Sequence, residues 1–218
     1  MRIVNPRARE DLAAGRPIRL NLGVGRRPRD GYYGLDWIEM PGVDLVADLN
    51  EPLSELPDNS VAAVYTHHTF EHVVNFLPLL KEIHRVVVPD GTVEVVVPHF
   101  SNPYGYSDPT HVRFFGLYTF YYFADEVDQP PRKVPAFYLP ERFAVESVSV
   151  TLLPTLLMFK PVRRLAMKVI NSSIRLLDWY ERSWCRHFPA DSIRYLLRVK
   201  KPGIVDTRHE TRDTRTPG

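Results

Sequence analysis

At 218 residues, with 44% hydrophobic and 11% aromatic side chains, the chain has the make-up of one globular domain with a proper core. Its 28 Lys+Arg against 26 Asp+Glu leave a net charge of +2, which gives no whole-protein case for nucleic acid. A single cysteine, Cys185, excludes a disulfide scaffold and a Cys-rich zinc site, whereas eight histidines keep a metal site in question.

The start, MRIVNPRARE, is charged and has no apolar signal core, and no stretch reaches the roughly 18 uncharged apolar residues of a spanning helix. The expectation is a soluble cytoplasmic protein. A short helix is predicted around Arg7–Ala14. Ile18–Leu22 alternates as a strand and runs into Gly23-Val24-Gly25, a strand entering a glycine loop. Short strands follow at Tyr32–Asp36 and Val43–Asp48, each ending on an acid, and a fourth at Val61–Thr66. Phe76, Leu79, Leu80, Ile83 and Val87 recur at helical spacing and predict a helix from Val73 to Val87. Pro89-Asp90-Gly91 stops it, and Thr92–Pro98 reads as a buried fifth strand.

Residues 99–140 are dense in Pro, Tyr, Phe and His with poor periodicity, a long functional loop region. Phe143–Leu152 is a strand, Phe159–Glu181 one long basic amphipathic helix, and Ile193–Lys200 a last strand. The organisation expected is one domain over 1–201, with an appended helical region at 155–188 and a disordered charged tail at 202–218. Alternating strands and helices predict an α/β, Rossmann-like fold: a mostly parallel seven-stranded sheet with helices on both faces. Only eight residues, 24–31, separate the first two strands. A parallel crossover takes roughly a dozen or more, so the first crossover helix is expected to be shortened or missing.

A Gly-x-Gly turn after a strand lets backbone approach a nucleotide-like ligand, because glycine lacks Cβ and tolerates positive φ. Asp36, ending the second strand, is placed to accept hydrogen bonds from ribose hydroxyls, and Asp48 lies on the next crevice edge facing an adenine. The full dinucleotide fingerprint is absent: position 28 is Pro and no helix has room. The pattern suits an adenosine without a pyrophosphate, which points to S-adenosylmethionine.

The ordered motifs LNLGVG, GLD, VDLVADLNEPL, LPDNSV, HHTFEHV, LKEIHRVVVPDGTVEVVVP and DPTHVRFF span about 18–123. Together they resemble a class I S-adenosylmethionine-dependent methyltransferase, of the compact type found in bacterial polysaccharide and cell-surface biosynthesis. The resemblance implies that Gly23 and Gly25 line the methionine side of the cofactor, with Asn21 beside them where an acid is usual. It implies that Asp36 binds the ribose, Asp48 with Leu49 the adenine, and Thr66, His67 and His68 the methionine part. Arg27 stands where a third glycine is usual.

Methyl transfer to a hydroxyl or amine needs an in-line acceptor and often a general base. His111, with Asp108 beside it in DPTH, and His99 follow the fifth strand at the mouth end and are the candidate bases. Residues 99–140 are then an acceptor-side loop or lid. The acceptor expected is a small or glycan-like molecule, with no nucleic-acid partner. The aromatic run Phe114–Phe123 either walls the acceptor pocket or packs as core, and Arg113 either binds an acidic acceptor group or pairs locally. His68 and His72 have the i, i+4 spacing of two helix ligands, but Glu71 and His72 are read as opening the helix, and no metal is assigned. The basic helix 159–181 packs on its own sheet, on a partner in a homodimer, or weakly on an anionic membrane. The competing functions are a binding protein that keeps this fold without catalysis and a metal-dependent hydrolase built on the histidines.

Overall fold

A computed structural model of the chain describes residues 1–154 and 159–201. In chain order its elements are β1 (Arg2–Ile3), α1 (Pro6–Ala13), β2 (Ile18–Leu22), β3 (Tyr33–Asp36), β4 (Leu45–Val46), β5 (Val61–His67), α2 (Phe76–Val86), β6 (Val87–Pro98), β7 (Arg142–Leu152), α3 (Lys160–Ile170), α4 (Ile174–Ser183) and β8 (Ala190–Lys200). Short 3-10 turns add Phe70–His72, Pro103–Tyr106, Thr119–Phe123 and Glu126–Asp128.

The strands make one eight-stranded sheet in the order β1-β4-β3-β2-β5-β6-β8-β7. The run from β4 to β6 is parallel, β8 enters antiparallel between β6 and β7, and β1 pairs antiparallel with β4. The chain winds outward from β2 to β4 and then returns to β5 and β6. Beyond the carboxyl ends of β2 and β5 therefore lies a topological switch point, where such sheets bind ligands. The fold class is the expected one. The eighth strand, β1, is two residues long and carries no periodic signal.

Pairing registers put Leu20, Val64, Val93 and Leu197 on one face of the sheet, all buried. Ala8 of α1, Leu80 and Ile83 of α2 and Leu177 and Tyr180 of α4 belong to the same buried cluster, and Met167 and Ile170 of α3 pack against it. The four described helices thus share one face, a more lopsided arrangement than helices on both. The opposite face is dressed by charge. Glu94 pairs with Arg29 (3.1 Å) and Arg194 (2.9 Å), Arg198 pairs with Glu146, and the Arg29 guanidinium stacks on Tyr65 at 3.9 Å. The cause is connection length. As expected, the β2–β3 link holds no helix, and the link from Trp37 to Asp44 is also too short for one.

Several boundaries differ from the sequence reading, the last strand, for one, beginning at Ala190 rather than Ile193. The third strand shrinks to Leu45–Val46. The predicted 73–87 helix begins only at Phe76, after a separate 3-10 turn at Phe70–His72. Pro89-Asp90-Gly91 lies inside β6 rather than before it: Asp90 has φ +59°, and pairing steps from Val61↔Val87 to Ala63↔Thr92 across the irregularity. The single helix 159–181 is two helices. Asn171 turns its amide onto the backbone of β7, bonding Val150 N (2.8 Å) and O (2.9 Å), and Ser173 caps α4 by accepting from Leu176 N. Among the described residues no helix is long and apolar enough to cross a membrane. The tail expected at 202–218 lies outside the described residues.

Candidate active site

The glycine loop is built by backbone geometry. Gly23 has φ +66°, and a Cβ there would fall 2.2 Å from Thr69 Oγ1, so neither the conformation nor the space admits a side chain. Thr69 in turn donates to Leu22 O, tying the end of β2 to the segment after β5. Gly25, at φ +49°, donates its N–H to Asp36 Oδ2 at 2.9 Å. Asp36, at the end of β3 and 8% exposed, also receives Trp37 N on Oδ1 at 2.8 Å. With Ile38 N also on Oδ1 (3.4 Å), the carboxylate braces the loop and keeps one lone-pair site, on Oδ2, for a ligand. Asn21 is buried and donates to Arg27 O, which folds the loop back over the sheet.

A cavity of about 920 Å³ opens beside this loop, in the size range of small-molecule sites. Asn21, Gly23, Gly25, His67 and His68 line it, as expected. Arg26, Arg27, Arg29 and Tyr65 line it too. Of these only Arg27 drew notice in the sequence; the others carry no motif. Asp36 lies behind the loop. Asp48 is exposed and accepts from Asn50 N, and Leu49 is buried beneath it. Thr66 is buried with its Oγ1 unpartnered. His67 and His68 stack at 4.4 Å, and His68 holds φ +55°, an uncommon conformation that turns the chain out of β5. Burial, then neighbouring positive groups, lowers both imidazoles, His68 to about 4, so both are neutral at pH 7.

Beyond His68 stands a second cluster. Glu71 is 1% exposed, and neither carboxylate oxygen has a hydrogen-bond partner. Burial pushes its carboxyl up to about 7. His68 Nδ1 is 3.6 Å and His111 Nε2 4.0 Å from Glu71 Oε1. His111 Nδ1–H donates to Gly105 O at 2.8 Å, which leaves the lone pair on Nε2, 3.7 Å from Asp108 Oδ2. Thr110 Oγ1 donates to Asp108 Oδ1 at 2.6 Å and so accepts His72 Nδ1–H at 2.8 Å. His72 packs edge-on to His111 at 4.8 Å. Glu71 is expected only at a helix start; the 3-10 turn instead buries it. HHTFEH was its signal, since the run sets an acid among four ring-bearing neighbours.

His99 departs from its expected role. It is 1% exposed, its Nδ1 accepts from Ser101 N (3.1 Å), and its Nε2–H donates to Glu181 Oε1 (3.0 Å). With both nitrogens committed and no solvent access, it ties the loop after β6 to α4 and has no lone pair for an acceptor. Arg113 pairs locally, its guanidinium 4.5 Å over Phe76 and bonded to Val73 O and Val74 O. The aromatic run divides: Phe115, Phe120, Tyr121 and Phe123 are core, while Phe114 is exposed and stacks on Tyr106 at 4.6 Å.

A family model described as a methyltransferase domain matches residues 34–95. No curated protein matches. A SAM dependent methyltransferase from Archaeoglobus fulgidus is 18% identical and superposes over 88% of this chain and 91% of its own, with a TM-score of 0.50. The YcgJ protein of Bacillus subtilis is 13% identical over 90% and 98%, at 0.49. An S-adenosylmethionine dependent methyltransferase from Mesorhizobium loti is 15% identical over 88% and 96%, at 0.40. At such identities the Archaeoglobus likeness carries the fold alone, and with the strand order it makes this a class I methyltransferase fold.

Proposed function

We propose that the protein transfers a methyl group from S-adenosylmethionine to a hydroxyl or amine of a small or glycan-like acceptor. The observation that carries this is the switch-point crevice: β2 runs into Gly23, where no side chain fits, Asp36 closes β3, and a cavity opens between β2 and β5. The residues there fit the cofactor. Backbone at Gly23 and Gly25 permits close approach. Asp36, behind the loop, is the residue assigned to a ribose hydroxyl, and Asp48 and Leu49, outside the cavity lining, are those assigned to the adenine. Arg27 offers a cation to the methionine carboxylate, and neutral His67 and His68 add no positive charge against a sulfonium. Once bound, the sulfonium supplies an electrophilic methyl, so the protein need only orient the acceptor, exclude water and remove a proton.

Proton removal falls to His111. The Gly105 carbonyl fixes its tautomer and leaves Nε2 free, and Asp108 Oδ2 at 3.7 Å favours the imidazolium as it forms. Phe114 and Tyr106, exposed beside it, give an apolar wall to the acceptor. The exposed face of α3 supports a peripheral partner, an anionic lipid surface that presents a glycan-like acceptor. The test is incubation with methyl-labelled cofactor and a cell extract, followed by identification of the labelled product. Label is expected in a small or glycan-like acceptor, falling about 10²-fold or more in His111→Ala at unchanged cofactor affinity. Cofactor binding without transfer to any pool would leave a binding protein of this fold; full activity in His111→Ala would remove the base assignment.

A further inference from the structure

The Glu71 cluster has a feature that proton abstraction does not use. A carboxylate almost wholly buried, with both oxygens unpartnered, is unfavourable, because nothing replaces the hydrogen bonds it gave up to water. Around it stand imidazoles, and among the described residues no lysine or arginine pairs with it. Glu71, His72 and His111 each offer one donor atom, all within 4.8 Å of one another. The tautomers are preset from outside. Gly105 O holds His111 Nδ1–H, and Thr110 Oγ1, itself held by Asp108, takes His72 Nδ1–H. Both rings therefore carry their lone pair on Nε2, the arrangement in which an outer acceptor orients a metal-binding imidazole. His111 Nε2 and Glu71 Oε1 are 4.0 Å apart, somewhat wider than the roughly 3.4 Å between two tetrahedral ligands about 2.1 Å from an ion, so binding draws the two side chains together by about half an ångström.

We propose that Glu71, His72 and His111 form a site for one divalent transition-metal ion. Two imidazoles and one carboxylate select zinc, manganese, iron or cobalt over magnesium or calcium, which prefer oxygen ligands throughout. Three protein ligands leave a position open, and exposed His72 puts that position toward solvent. Such an ion satisfies the orphaned carboxylate. Glu71 Oε1 also lies 3.6 Å from His68, which lines the cavity, so the ion would stand at the cavity's edge. There it could bind an acceptor oxygen and lower its pKa; His111 Nε2 would then be on the ion, and the acceptor's proton would leave to solvent water instead of to His111. The site goes beyond methyl transfer and does not depend on it.

The test uses untagged, chelator-stripped full-length protein titrated with Zn²⁺ by calorimetry, with a thermal melt in parallel. One ion per chain is expected, at micromolar affinity or tighter, with a raised melting temperature and at least tenfold weaker binding of Mg²⁺. Glu71→Gln and His111→Ala should each weaken Zn²⁺ by tenfold or more, while His187→Ala, on an exposed histidine outside the cluster, should not. His111→Ala changes a side chain at the rim and keeps the test valid should Glu71→Gln disturb the core. No saturable binding, binding unchanged in both variants, or a preference for Mg²⁺ would overturn the proposal. Because the readout is binding, failure here leaves the methyltransferase reading untouched, and failure of methyl transfer leaves the metal site untouched.

Discussion

At the scale of single residues, burial sets the histidine chemistry. His84 on α2 shows it away from the site. Its Nε2–H donates to Lys200 O at 2.9 Å and its ring lies edge-on to Phe143, and burial lowers its pKa below the usual value. Between that lowered pKa and about 6.5 the unfolded chain binds the proton that the folded chain refuses. Stability is therefore present above pH 6.5 and lost as the pH falls below it. Thermal melts at pH 7.5 and 5.5 check this: His84→Gln should lose less melting temperature on acidification than the native chain. Equal losses would contradict it. Gly23, Gly25 and Asp36 were legible in the sequence because their roles are local, a turn after a strand and an acid at a strand end. Glu71 was not, because its isolation depends on groups from the 105–111 loop that folding brings to it. His99 misled for the same reason: its partner Glu181 is 82 residues away.

At the scale of elements, α3 is the odd helix. None of its residues is buried; Ala166, Met167 and Ile170 only lean on the core. Val162, Leu165 and Val169 face solvent at 42%, 64% and 50% exposure, and Lys160, Arg164 and Lys168 form a cationic row beside them at i, i+4 spacing. An apolar stripe flanked by lysine and arginine is the pattern of a helix lying in an anionic lipid interface. Co-sedimentation with phosphatidylglycerol vesicles at low salt is expected, with little on phosphatidylcholine, and Leu165→Asp should cut it about tenfold. No binding to the anionic vesicles, or a dimer in solution that buries the stripe, would contradict it. The amphipathic character was readable in the sequence. The break at Asn171–Ser173 was also written there, in residues that favour helix caps, but the apolar spacing continues across it and masks it.

For the whole molecule, connection lengths decide the shape. The order β4-β3-β2-β5-β6-β8-β7 puts the switch point at β2/β5, and the short links on either side of β3 leave one sheet face without helices. Most parallel sheets are covered on both faces. Here Glu94 between two arginines, and Arg29 on Tyr65, make the open face tolerable in water. The missing crossover helix could be counted from the sequence. The consequence for the sheet face could not, because it depends on which side the later helices take. The same short loop lets Arg27 and Gly25 close over the crevice, so the central claim is that S-adenosylmethionine binds there. Calorimetric titration of the protein with S-adenosylmethionine and with its demethylated product tests it most directly. Micromolar binding of both is expected, weakened about 10–100-fold in Asp36→Ala through the loss of charged hydrogen bonds. No heat and no thermal shift with either ligand, or full affinity in Asp36→Ala, would contradict it.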